Sequence, residues 1–168
     1  DGIGIGRRAG RIDQNKEAVA LGLFAGEDSQ GSRAIAIGSF ACRYNQGIDA
    51  IAIGNDAGYY DQGNQSIAIG KGAGEGFQSA NAIAIGVNAG ICDQGQYTVA
   101  LGYQTGFTNQ GDYAIGIGYQ AGITNQHNNT IVLNASNIAL NTTGTDRTYI
   151  APIRNDTLAN ALGYDPTT

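Results

Sequence analysis

Few residues of this chain could do chemistry, and their spacing limits what that chemistry could be. Glu27, Asp28, Asp56, Asp61 and Glu75 could supply the paired carboxylates that glycoside hydrolysis requires. Gly116-Ile117-Gly118-Tyr119-Gln120-Ala121 spells a dinucleotide-binding fingerprint, and Gly70-Lys71-Gly72-Ala73-Gly74-Glu75-Gly76 suggests a phosphate loop. The first needs a helix to follow and the second a Gly-Lys-Ser/Thr ending, and the chain provides neither. His127 is the single histidine; alone it cannot build a metal site, nor a triad without a nucleophile nearby. The expectation is a protein that is not an enzyme and carries no cofactor and no metal.

Composition narrows the class further. The chain has 168 residues, one domain's worth, with 27 glycines, two prolines and no Met or Trp. It is 42% hydrophobic, which excludes disorder, and glycine is not spaced by threes, which excludes collagen. Two cysteines cannot form a disulfide framework, and no apolar run approaches the ~20 residues of a membrane-spanning helix. A net charge of −5 argues against a nucleic-acid surface. Asp1 begins directly in patterned sequence without a signal-peptide pattern, as expected of an excised or mature segment.

The pattern is a repeat. Ile-Ala-Ile-Gly stands at 35–38, 51–54, 67–70 and 83–86, Val-Ala-Leu-Gly at 19–22 and 99–102, and Ile-Gly-Ile-Gly at 3–6 and 115–118. The spacing is 16 residues across eight copies, and a ninth opens at Ile131-Val132-Leu133 before Asn134 replaces the glycine. Counting from the first aliphatic, position 4 is always Gly, position 7 is Ala except at Thr105, position 8 is Gly except at Cys42, and position 13 is Gly in five copies. These glycines read as corner formers. Sixteen residues are too few for a helical hairpin, and the apolar alternation has period two. Each copy therefore reads as one rung of a parallel β-solenoid, all-β, rising ~38 Å over eight rungs at ~4.8 Å each.

The variable columns support in-register stacking. Arg11, Glu27 and Arg43 alternate in sign in one column, and Glu17, Arg33 and Asp49 in another. Neutral residues meet their own kind: Phe24/Phe40, Tyr97/Tyr113, Tyr103/Tyr119, Thr108/Thr124 and Asn109/Asn125. Cys42 and Cys92 fall three rungs apart, ~14 Å along the axis, too far for a disulfide.

Positions 1 and 3 share one side of the strand and position 2 the other. The aliphatics Ile35, Ile37, Ile51, Ile53, Ile67, Ile69, Ile83 and Ile85 are expected to fill the interior. The small residues Ala20, Ala36, Ala52, Ala68, Ala84 and Ala100 would then form an outer wall too uniform to face water, and are expected at a homo-oligomer interface. The invariant column Gln14, Gln30, Gln46, Gln62, Gln78, Gln94, Gln110 and Gln126 is expected either to form a hydrogen-bonded ladder or to cap backbone groups at a corner. Tyr44, Tyr59, Tyr60, Tyr97, Tyr103, Tyr113 and Tyr119 lie on outward columns and are candidate contacts for a cell-surface glycan or protein receptor, or sheet stabilisers.

The Ala-Ile-Ala-Ile-Gly units with Ala-Gly following, as in residues 34–42 and 50–58, resemble the head repeats of bacterial trimeric autotransporter adhesins. That resemblance implies a left-handed parallel β-roll and a homotrimer. The 16-residue rung, the Asn-Gln-Gly turns at 45–47 and 109–111 and Gly-Tyr-Gln-Ala-Gly at 118–122 are more similar to fibre proteins of phages and large DNA viruses. Asn129–Asn134, Thr148–Arg154 and Tyr164–Thr168 resemble the stretch that precedes a self-cleaving intramolecular chaperone in such fibres.

Two segments follow: a solenoid over 1–133, and a neck or transition segment over 134–168, where the period breaks and both prolines lie. Asn64, Asn128, Asn134, Asn141 and Asn155 open glycosylation sequons, mostly compositional in so Asn-rich a chain. The expected function is a structural and adhesive trimeric fibre segment for host attachment, on a virion surface or otherwise extracellular, without nucleic-acid partners or membrane insertion. The head of a bacterial surface adhesin is the alternative, ahead of a tailspike glycan hydrolase or an ice-binding solenoid.

Overall fold

The computed structural model describes residues 1–153; residues 154–168 of the expected neck, with Asn155 and Tyr164–Thr168, lie outside the described residues. The chain is an all-β parallel solenoid. One wall is a ten-stranded sheet of Ile3–Ile5, Val19–Leu21, Ile35–Ile37, Ile51–Ile53, Ile67–Ile69, Ile83–Ile85, Val99–Leu101, Ile115–Gly118, Ile131–Asn134 and Thr148–Ala151. The register advances by 16 residues at every step to Ile115↔Ile131, then by 17 at Ile131↔Thr148. The sheet thus continues past residue 133, through one irregular turn. The opposite wall is a row of short strands, Asp28–Gln30, Tyr44–Gln46, Cys92–Gln94, Thr108–Gln110 and Thr124–Gln126, joined across the middle rungs by Gln46↔Gln62, Gln62↔Gln78 and Gln78↔Gln94 bridges.

The corners are not made by glycine alone. Each regular rung enters positive φ at position 4, a Gly at +109 to +134°, and then at positions 6, 8 and 15, and at position 11 in every rung except that of Phe77. Position 8 is mostly Gly, but positions 11 and 15 take residues such as Asn45, Asp49, Asn125 and Asn129, whose short polar side chains tolerate the left-handed region. Position 13 Gly has a different purpose: a Cβ at Gly47 would lie 2.5 Å from Asn64 N in the next rung. That column is small because stacked backbones approach closely there.

The interior reverses the expected orientation. Ala20, Ala36, Ala52, Ala68, Ala84 and Ala100 are fully buried inside the single chain, facing Ala25, Ala41, Ala57, Ala73 and Ala89 of position 7. They are therefore not an outer wall. Ile35, Ile37, Ile51, Ile53, Ile67, Ile69, Ile83 and Ile85 point outward and are only half-buried, so they are not the core. The reason is width. Each interior Gln spans the roll and donates from Nε2 to the position 1 carbonyl of its own rung, as Gln30 does to Val19 O at 2.8 Å and Gln94 to Ile83 O at 2.8 Å. Walls one glutamine apart leave room only for methyl groups. Where the filling changes, it is compensated: Thr105 replaces the position 7 Ala, and the residue it faces is Gly116, where a Cβ would lie 2.8 Å from Thr105 Cγ2.

Gln side chains also bond to one another along the axis. Gln46, Gln62, Gln78, Gln94 and Gln110 each donate to the next Gln Oε1 at 3.0–3.3 Å, as does Gln14 to Gln30. The step from Gln30 to Gln46 is missing, and Gln46 Oε1 is buried without a partner. The same rung carries Cys42, at φ 37°, where other rungs have Gly packed on the Gln amide. The thiol's Cβ occupies the space the ladder needs. Cys42→Gly is expected to close the gap and raise stability by about 1 kcal/mol, through one regained hydrogen bond and a relieved left-handed side chain. Cys42→Ala keeps the Cβ and should gain nothing. Urea midpoints of the three proteins at one concentration check this.

Candidate functional site

The largest polar and aromatic cluster lies on the corner formed by positions 6, 9 and 10 of the first four rungs. Its centre is Glu27, whose carboxylate is 6% exposed. Arg43 Nε donates to Glu27 Oε2 at 2.7 Å, while Arg8 Nη1 and Arg11 Nη1 share Oε1 at 3.2 and 3.3 Å. Burial pushes the Glu27 carboxyl up, but the hydrogen bonds and charge of Arg43, with those of Arg8 and Arg11, outweigh it and hold the group below its usual range. The carboxylate is thus committed to its arginines and is not a proton donor at neutral pH.

Stacking along the axis builds an aromatic wall beside these charges. Phe24 and Phe40 stack at 5.2 Å, Tyr44 and Tyr60 at 5.6 Å, and Tyr59 meets Tyr60 edge-on at 4.5 Å. The Arg43 guanidinium lies 4.8–5.6 Å from the ring centres of Phe24, Phe40 and Tyr44 and donates to Tyr59 Oη at 3.1 Å. Arg7 and Arg8 sit over Phe24 at 5.8 and 5.4 Å. The stacked pairs Phe24/Phe40 and Tyr44/Tyr60, the Arg43–Phe24 contact and the Arg43–Tyr59 hydrogen bond join successive rungs, while Arg43–Phe40, Arg43–Tyr44 and Tyr59–Tyr60 lie within one rung, so the 16-residue period and the local turn together build the cluster.

The other tyrosines form separate pairs. Tyr97 and Tyr113 stack at 5.2 Å in the position 15 column; Tyr103 and Tyr119 stack at 5.6 Å in the position 5 column. All four are exposed, and among the described residues no cation lies over any of their rings. The sequence singles out these seven tyrosines but not Arg43 and Phe40 as partners of Tyr44 and Tyr59, nor Arg7 and Arg8 over Phe24. The signal was present in the Arg11, Glu27 and Arg43 column, but which column neighbours which depends on the turn at positions 7 and 8.

The remaining candidates have structural surroundings. Asp61 accepts from Asn45 Nδ2 at 2.7 Å, and Asp28 from Ser29 Oγ at 3.1 Å. Burial, and then the charge of Asp56, raise the Glu75 carboxyl above its usual range. His127 Nδ1 lies 2.6 Å from Thr142 Oγ1, in the irregular turn. Cys42 is buried and Cys92 exposed, both free. Among the described residues no three His, Cys, Asp or Glu side chains are grouped to hold a metal ion, and no helix is long and apolar enough to cross a membrane.

The outward face of the large sheet is the other candidate surface. Positions 1 and 3 set two aliphatics per rung side by side, and Ile3, Ile5, Leu21, Leu101, Ile117, Ile131, Leu133 and Ile150 are 36–60% exposed. A stripe two side chains wide and ~40 Å long is at the size where exposed apolar surface marks an interaction site. No family model matches this chain, and neither a curated protein nor a solved structure does.

Proposed function

We propose that this chain is a structural and adhesive segment of an extracellular fibre, of the kind on virion surfaces, and that it works as a homotrimer. The observation that carries the reading is the continuous Ile/Leu stripe on the ten-stranded sheet. A solitary rod has no use for a row of β-branched aliphatics in water. Copies of the same rod, related by an axis parallel to the solenoid, bury the stripe along its whole length. The number three and the virion setting come from the resemblance of the 16-residue repeats to viral fibres and adhesin heads.

The mechanical part follows from hydrogen bonding. Parallel ladders on both walls and the Gln ladder between them run along the axis, so the rod resists bending and leaves strand edges only at its ends. Outward columns vary freely and present side chains at fixed spacing, which suits attachment. Light scattering tests the assembly: the expected mass is three times the 17.3 kDa of one chain, resistant to SDS until boiled. A monomer at micromolar concentration would overturn it.

A further inference from the structure

We propose that the Arg–aromatic corner of the first four rungs binds an acidic oligosaccharide, its carboxylate or sulfate held by Arg8 and Arg11 and a sugar ring seated on Tyr60. The proposal deepens the adhesive part of the reading above and rests on it for the ligand's presence at a cell surface.

Charge is the first argument. Residues 7–43 hold six cations (Arg7, Arg8, Arg11, Lys16, Arg33, Arg43) against four anions (Asp13, Glu17, Glu27, Asp28), a net of +2 in a chain whose net charge is −5. At the corner, three guanidinium groups converge on one carboxylate. Arg43 makes the short bond expected of a charge-assisted pair. Arg8 and Arg11 divide the other oxygen between them at longer distances, and their side chains remain 45% and 49% exposed. A guanidinium offers five N–H donors, so both retain unused donors directed outside Glu27. A second anion would complete what Glu27 satisfies only in part.

Shape is the second argument. Tyr44 covers one face of Tyr60, but the next residue in that column is Gly76, which has no side chain. The other face of Tyr60 is therefore open, and Tyr60 is 48% exposed. An open aromatic face is the usual platform for the C–H face of a sugar. Three rungs separate Arg11 from Tyr60, ~14 Å along the axis, so the ligand is an oligomer rather than a single sugar. Asp56 stands in the rung of Tyr60 and Glu75 one rung beyond it, which places the anionic group at the arginine end.

The test titrates the whole chain with three hexasaccharides: heparin-derived (sulfated), galacturonate (carboxylated) and maltose-series (neutral). Tyrosine fluorescence, undisturbed by Trp, and calorimetry report binding. Saturable binding of a charged probe, absent for the neutral one, is expected, and the tighter arm identifies sulfate or carboxylate. Arg8→Gln with Arg11→Gln should weaken it at least tenfold and Tyr60→Ala at least fivefold, with circular dichroism unchanged. Arg33→Gln, whose guanidinium is paired with Asp49 in another column, should leave affinity unchanged. No saturable binding of either charged probe, equal binding of the neutral one, equal binding of a linear polyphosphate, or unaltered affinity in the Arg8/Arg11 and Tyr60 variants each overturns the proposal. Solution mass is read separately, so the site and the fibre can fail independently.

Discussion

Gln78→Leu is expected to lower the unfolding free energy by about 3–5 kcal/mol, far beyond an average substitution. The two side chains have similar volume, so the loss would come from hydrogen bonds rather than a cavity. Gln78 Nε2 donates to Ile67 O at 2.9 Å, Ala82 O at 3.3 Å and Gln94 Oε1 at 3.0 Å, and Oε1 accepts from Gln62 at 3.3 Å. Leucine orphans acceptors in a layer that water cannot enter, at about 1–3 kcal/mol each before relaxation. Gln96→Ala, on an exposed turn, should change stability by less than about 0.5 kcal/mol.

Gln78→Glu separates the ladder from simple packing. A buried carboxyl in this place has a folded pKa raised above its unfolded ~4.3 by desolvation. A raised folded value means stability present at low pH and lost as pH climbs from ~4.3 through that folded value. The variant should therefore approach the parent at pH 4 and fall well below it at pH 8, in urea melts at equal protein concentration. A loss independent of pH would mean that the amide acts only as a spacer.

The same residues show what was legible in the sequence and what was not. The 16-residue spacing fixes the register of every step to Ile131, because an in-register stack is the only arrangement that pairs Arg33 with Asp49 and Phe24 with Phe40. The Gln column was legible as structural, since no other requirement holds one polar residue through eight copies. Both readings of it are realised by the same amide: Nε2 satisfies backbone carbonyls across the roll and the next Oε1 along it. What sequence could not give was the side of the strand that faces in. Period two divides a strand into two faces without labelling them, and here both faces are apolar. Hydrophobicity favours Ile inside; the separation of the walls, set by corners at positions 6, 8, 11 and 15, admits only Ala. Those corners were themselves hidden, because Phe24, Arg33 and Tyr97 occupy left-handed backbone that stacking imposes and composition does not announce.

The second large effect follows from that inversion and bears on the assembly. Ala68→Leu should prevent folding or cost more than about 3 kcal/mol, since Ala68 is fully buried and its Cβ would already touch a Cβ at Gly74 at 3.2 Å. Ile53→Asp combined with Ile85→Asp should do the reverse: the solenoid should fold, and the assembly should dissociate. The two positions share the outward stripe with one rung between them, so the new charges do not oppose each other in adjacent strands. Each lost isoleucine removes about 1.5–3 kcal/mol of burial per chain, and each carboxylate would be desolvated against its symmetry mates. A dissociation constant at least ~1000-fold higher follows, about 4 kcal/mol. Light scattering should then report 17.3 kDa with an unchanged β-sheet circular dichroism spectrum. If Ala68→Leu instead folds and only its mass falls, the alanines are the interface and the isoleucines the core. If the double Asp variant stays assembled, the stripe is not what holds the copies together, and the fibre reading loses the observation that carries it.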